Sequence, residues 1–307
     1  MCISPVTATA PACDHAMARS NASWPCLDLE GQHMSYRNIL VHIDSSAASR
    51  ERLRSAICAA QCLQAKVEAD YAVTPWLWLH PTAAGDTGLS SHLSSQDLER
   101  MQRAKQAVAE ILRDLPEIKW TDNPTQSPYD FSERALYSDL LVLGQHSDTD
   151  PDRDDVPPDF VPAMMFRSGR PALVIPHGQT LTSAPRTILI AWNASRQSAR
   201  ALTCALPWLH LAKEVHVGIW MQETSQQEES ASRLTAYLQC HGFGCQVHAR
   251  HPLPPDAGQA ILQLASSTQA DMLVMGCYGH SRAREWLLGG ATATVLKEAR
   301  LPLLMSH

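Results

Sequence analysis

The chain repeats itself. The run Arg37-Asn38-Ile39-Leu40-Val41-His42-Ile43-Asp44 matches Arg186-Thr187-Ile188-Leu189-Ile190-Ala191-Trp192-Asn193, 149 residues further on. Asp139–Gly144 matches Asp271–Gly276, and Pro171–Ile175 matches Pro302–Ser306. Three matches in one order limit the fold sharply, because each copy has to be built from the same elements in the same sequence. The first two matches lie 100 residues apart in copy one and 83 in copy two, so copy one carries 17 extra residues. They are expected within Thr74 to Gln96, a stretch with Trp76, Trp78, His80, Pro81, Gly85 and Gly88 that reads as an aromatic, turn-rich loop.

Apolar runs without alternation, such as Ile39–Ile43 and Leu140–Leu143, suit strands buried on both faces. In copy two, further strands are expected at Val215–Trp220, Cys245–His251, Met272–Gly276 and Leu303–Ser306. Helical patterns separate them. Ser195 can cap a helix that carries Leu202, Leu206 and Leu209 on one face, with Pro207 inside it. A second helix is expected over roughly Glu228 to His241, stopped by Gly242, and a third from Asp256. Alternating strands and helices predict an α/β protein of two tandem doubly wound domains, each a mostly parallel five-stranded sheet with helices on both faces. The expected division is a tail or mis-assigned start over 1–33, a first domain over 34–178, a linker over 179–185 and a second domain over 186–307. Met34 is the alternative start.

The bulk properties narrow the function. A length of 307 residues suits about two domains. The net charge of −6 argues against a broad nucleic-acid-binding surface. No apolar run approaches the ~20 residues of a membrane span, and the first residues lack the pattern of a secretory signal. The nine cysteines contain no C-x-x-C pair and read as free thiols, which points to the cytoplasm. Cys58 and Cys62 read as small helix-face residues, and no residue is assigned to a metal.

Ligands of doubly wound sheets sit beyond the carboxyl ends of the strands, where the strand order reverses. In copy two those ends are Ala191-Trp192-Asn193 and Met275-Gly276. From Gly276 the chain runs Gly276-Cys277-Tyr278-Gly279-His280-Ser281-Arg282, then on to Gly289-Gly290-Ala291-Thr292, where a helix is expected to begin. Glycines let a backbone approach a polyanion, and successive N–H groups with a helix N-terminus can hold phosphate. His280, Ser281 and Arg282 can add side-chain donors. The loop is neither a Walker A motif nor a G-x-G-x-x-G fingerprint.

This arrangement resembles the universal stress protein family, over nearly everything from Met34 to His307. In that family G-x-x-G-x9-G followed by a small hydroxyl residue marks the members that bind ATP. The resemblance implies a nucleotide site formed by Ala191, Asn193, Ser195, Met275, Gly276, Gly279, His280, Ser281, Arg282, Gly289, Gly290, Ala291 and Thr292. It implies ATP, alone or with Mg, as the ligand. The family's acid after the first strand is Asp44 in copy one and Asn193 in copy two. Gly290 stands where the hydroxyl residue is expected, and Thr292 is the next hydroxyl. Copy one lacks the second glycine, since Gln145, His146 and Ser147 follow Gly144. The six aspartates from Asp148 to Asp159 read as a solvated acidic loop that would repel phosphate, so copy one is expected not to bind ATP.

The resulting expectation is a regulatory binding protein of the stress response, not an enzyme, that acts on an unknown regulatory protein. No nucleophile-elbow or zinc-enzyme spacing frames the available Ser, His and acid residues. The alternatives are a nucleotide-free scaffold that assembles through sheet edges, and a slow nucleotide hydrolase. Family members commonly pair their last strand across a dimer. The resemblance therefore implies an intrachain pseudo-dimer through Pro171–Ile175 and Leu303–Ser306, or a homodimer.

Overall fold

The computed structural model describes residues 36–122, 127–220, 224–249, 255–277 and 290–307. In the first half the strands are β1 (Asn38–Ile43), β2 (Lys66–Tyr71), β3 (Lys119–Asp122), β4 (Leu140–Gly144) and β5 (Ala172–Ile175). The helices are α1 (Ala48–Leu63), α2 (Trp76–Leu79), α3 (Thr87–Asp114), α4 (Phe131–Ala135) and α5 (Phe160–Ser168). In the second half the strands are β6 (Thr187–Trp192), β7 (Glu214–Ile219), β8 (Gln246–Ala249), β9 (Met272–Gly276) and β10 (Leu303–Ser306). Its helices are α6 (Arg196–Leu209), α7 (Thr224–Cys240), α8 (Ala257–Ser267) and α9 (Ala291–Glu298).

All ten strands lie in one sheet, in the order β3-β2-β1-β4-β5-β10-β9-β6-β7-β8. Each half is a parallel five-stranded unit whose strand order reverses between β1 and β4, or between β6 and β9. The halves meet through β5 and β10, which pair antiparallel with Leu304 opposite Leu173. This is the intrachain strand pairing that the family resemblance implies, as one of its two alternatives.

Burial on both faces follows from the apolar runs. Ile39, Val41 and Ile43 face one layer with Leu53 and Ala56 of α1 and Val108 of α3. Leu40, Leu141 and Leu143 face the other with Phe131 of α4 and Met164 and Met165 of α5. The second half repeats this, with Ile188 and Ile190 against Leu202 and Trp208, and Leu189 and Leu273 against Leu264 and Val295. Successive side chains of a strand point to opposite faces, so an unbroken apolar run feeds both layers at once.

The caps fall where the sequence puts them. Ser195 Oγ accepts from Ser198 N at 3.1 Å and starts α6. Asp256 Oδ1 accepts from Gln259 N at 3.1 Å and starts α8. Gly242 follows α7 with φ +84°, a left-handed turn that favours glycine.

Some expectations need correction. The extra stretch of copy one is helical rather than a loop. Trp76–Leu79 is a helical turn, Pro81–Gly85 is a 3-10 turn, and Thr87–Asp114 is a 28-residue helix. Asp86 caps that helix by accepting from Gly88 N and Leu89 N. The helix expected over Glu228 to His241 begins earlier, at Thr224, and the one expected from Thr292 begins at Ala291.

Candidate functional site

The two strand-order reversals bring the same motif to the same place in each half, in different states. In the first half, Asp44 Oδ1 accepts from Ser46 N at 3.0 Å and Ser46 Oγ at 2.6 Å. In the second, Asn193 Oδ1 accepts from Ser195 N at 3.2 Å and Ser195 Oγ at 2.7 Å. This shared turn fixes the side chain at the end of β1 and of β6. Asp44 is 4% exposed. Asn193 is exposed.

Arg52 makes that difference. Its Nη2 lies 2.5 Å from Asp44 Oδ1 and 2.7 Å from Ser49 Oγ. Burial pushes the Asp44 carboxyl up, but the Arg52 guanidinium, together with His42 and the Ser46 hydroxyl, outweighs it and holds the group well below the usual carboxylate range. His42, beneath it, donates from Nε2 to the Ala72 carbonyl at 2.7 Å. Burial, and then Arg52, lower its pKa to about 4, so it is neutral at neutral pH. Arg52 also lies against Gly144, where any Cβ would collide with its guanidinium. The crevice at this strand end has a volume of only about 40 Å³.

A second internal lock closes the same end of the first half. Arg100 of α3 lies 3.1 Å from Asp155 Oδ1 and 2.9 Å from Asp97 Oδ1, and donates to the Thr74 carbonyl at 2.8 Å. Its guanidinium stacks over the Trp76 ring at 5.1 Å. Asp155 Oδ2 in turn accepts from Ser45 N at 2.7 Å. The acidic stretch is therefore not simply solvated. Asp148 and Asp154 are exposed, whereas Asp155 is 3% exposed, and its burial raises its pKa to about 6.

In the second half, the site residues expected from the sequence fall at four places among the described residues. Ala191 and Met275 are buried register partners at the ends of β6 and β9. Asn193 and Ser195 form the turn that leads into α6. Gly276 lies beneath the first turn of α6, where a Cβ would collide with Gln197 C and Ser198 N. That glycine thus has a packing role of its own. Gly290 is the N-cap of α9 with no side-chain cap bond, Ala291 is its first residue, and Thr292 is buried in its first turn. Gly279, His280, Ser281, Arg282 and Gly289 lie outside the described residues.

Sequence reasoning missed Arg52 and Arg100, which fill the first half. It also missed Gln145, the residue after Gly144. Its Nε2 donates to the carbonyls of Leu296 and Ala299 in the other half, at 2.8 and 3.3 Å. Among the described residues, no group of three or more His, Cys, Asp or Glu could hold a metal ion, and no helix is long and apolar enough to cross a membrane.

Two doubly wound units fused edge to edge, with one strand-end turn closed and one exposed, define a tandem α/β protein of the kind that binds ligands at strand-order reversals. The universal stress protein family model matches residues 185–307, so the second half of this chain is a universal stress protein domain. The universal stress protein Slr1230 of Synechocystis sp. is 31% identical over 140 residues, which is 44% of this chain and 46% of that protein. The chain thus spans about half the length of the curated relative it matches. Among solved structures, a universal stress protein from Archaeoglobus fulgidus is 15% identical, with 88% of this chain and 95% of that one covered and a TM-score of 0.64. A protein of unknown function from Pseudomonas aeruginosa is 17% identical, with 88% and 92% covered and a TM-score of 0.56. At these identities the likeness is one of fold, and it extends over both halves.

Proposed function

We propose that the chain is a regulatory protein of the stress response whose second domain, 186–307, binds an adenine nucleotide, with ATP as the ligand. The first domain, 34–178, is its structural partner, joined through the linker 179–185. The observation that carries this reading is the contrast between Asn193 and Asp44. The Asn193 turn is exposed beside Gly276, while the same turn in the first half is taken up by Arg52.

The chemistry of the second half suits a nucleotide. Asn193 offers an acceptor and a donor to a base or ribose edge. Gly290 at the start of α9 leaves backbone N–H groups for phosphate, with the positive end of the helix dipole behind them. Gly279, His280, Ser281, Arg282 and Gly289 would complete the phosphate side. Bound nucleotide would change the surface that this half offers to a partner protein. No general base or nucleophile is assigned, so turnover is not part of the proposal.

The test is mass spectrometry of the small molecule that copurifies with the protein, with titration of ATP into Gly279→Trp and Gly289→Trp variants. An adenine nucleotide in the preparation, and weakened ATP binding in both variants, is the expected result. A preparation that carries none and ignores added ATP favours the scaffold reading instead.

A further inference from the structure

The second half also contains a groove whose lining includes Trp192 and Ala194, on either side of Asn193, but none of the residues proposed for the nucleotide site. It lies between α6 and α7, has a volume of about 530 Å³, and is walled by Leu202, Thr203, Leu234 and Tyr237. The Trp192 indole, from the end of β6, lines it and donates from Nε1 to Ser230 Oγ of α7 at 2.9 Å. The volume falls within the ~300–1,000 Å³ of small-molecule sites, which are mostly apolar and concave.

The repeat explains why the groove is open here. Arg50 stands six residues after Asp44, and Ala199 stands six residues after Asn193. In the first half Arg50 reaches across from α1 and donates from Nε and Nη2 to the Ala107 carbonyl of α3, at 3.0 and 2.9 Å. Ala199 has no such reach and lines the groove instead. A space bridged by a guanidinium in one copy is left free in the other.

The lining selects the ligand. The two charged groups at the groove, Arg233 and Glu229, are paired with each other at 2.6 Å and leave no net charge. The Trp192 N–H is already used, and Thr203 Oγ1 donates to the Ala199 carbonyl at 3.1 Å. What remains is two aromatic rings and two leucines, beside Ala194, Ala199 and Gln226. Flat rings stack on such surfaces with an offset or edge contact. We propose that this groove is a binding site for an uncharged planar aromatic molecule, separate from the nucleotide site.

The test uses N-phenyl-1-naphthylamine, a neutral planar probe whose fluorescence rises in apolar surroundings, titrated into the full chain. The expected result is one saturable site, weakened about tenfold or more in both Ala199→Arg and Thr203→Trp. Ala199→Arg restores the bridge of the first half, and Thr203→Trp fills the groove from its other wall. If one variant fails to keep the wild-type melting temperature, the other decides. The anionic probe 1-anilinonaphthalene-8-sulfonate should bind about tenfold or more weakly than the neutral one. Unchanged affinity in the folded variants overturns the site. Equal affinity for the anionic probe overturns the ligand class, and displacement of the neutral probe by ATP overturns the separateness of the two sites.

Discussion

Gln145, in the first half, donates from Nε2 to the carbonyl of Leu296, in the last helix of the second, at 2.8 Å. Its Oε1 accepts from His177 N at 3.0 Å, so one amide side chain ties the end of β4, the chain after β5 and the end of α9. The second half mirrors this. Cys277, the residue after Gly276, sends its Sγ to within 3.7 Å of Met165 Sδ in α5. Each half therefore reaches past its last strand to the last helix of the other. Beside β5 and β10, these contacts pack the described residues of the two halves against each other.

Gln145→Ala should cost about 1–2 kcal/mol, because it leaves the His177 N–H and the α9 carbonyls without this partner. Urea unfolding with an unchanged slope would measure it. Hydrogen exchange should quicken at the end of α9, near Ala299, and stay unchanged in α1.

Arg52→Met should cost about 3–5 kcal/mol at neutral pH, because it strands the buried Asp44 charge. Adding Asp44→Asn should recover most of that. The sign with pH follows from the pairing. A carboxyl held below its unfolded value adds stability above that value and loses it as pH falls. In the wild type that loss begins only below the ordinary carboxylate range, whereas in Arg52→Met burial raises the Asp44 carboxyl and it protonates sooner. The gap between the two should therefore narrow as unfolding is measured from pH 7 down towards pH 4.

Asp70 should behave in the opposite way. It is 4% exposed, and burial raises its pKa to about 7 against the partial relief given by Arg134, whose Nε lies 3.6 Å from Oδ2. An acid raised in the folded state favours folding at low pH and opposes it as pH rises through that value. Asp70→Asn should therefore raise the melting temperature most at pH 8, with a gain that shrinks steadily as pH falls towards 4. The gain at pH 8 is on the order of 2–4 kcal/mol at most.

The frame was legible because the repeat and the apolar runs are local features. Ile39–Ile43, Leu140–Leu143 and their counterparts read as buried strands without knowledge of their neighbours, and Ser195 and Asp256 announce their helices. The 28-residue α3 was not legible. Its buried face includes Asp97 and Arg100 among Leu93, Ala104 and Val108, so the apolar period is broken by residues that pair only in three dimensions. The filling of the first half was hidden for the same reason. Nothing near Arg52 in sequence says that it points at Asp44 rather than at water. Gly276 reads as a phosphate-loop glycine in the sequence, and the close approach of α6 gives it a second role that no motif records.

In the proposed function, one half binds nucleotide and the other does not. Isothermal titration of ATP into the full chain, freed of copurified ligand, tests it most directly. A stoichiometry of about one per chain, lost in an Asn193→Trp variant that keeps its melting temperature, is the result predicted here. Two sites per chain, or one site that survives that substitution, would contradict it.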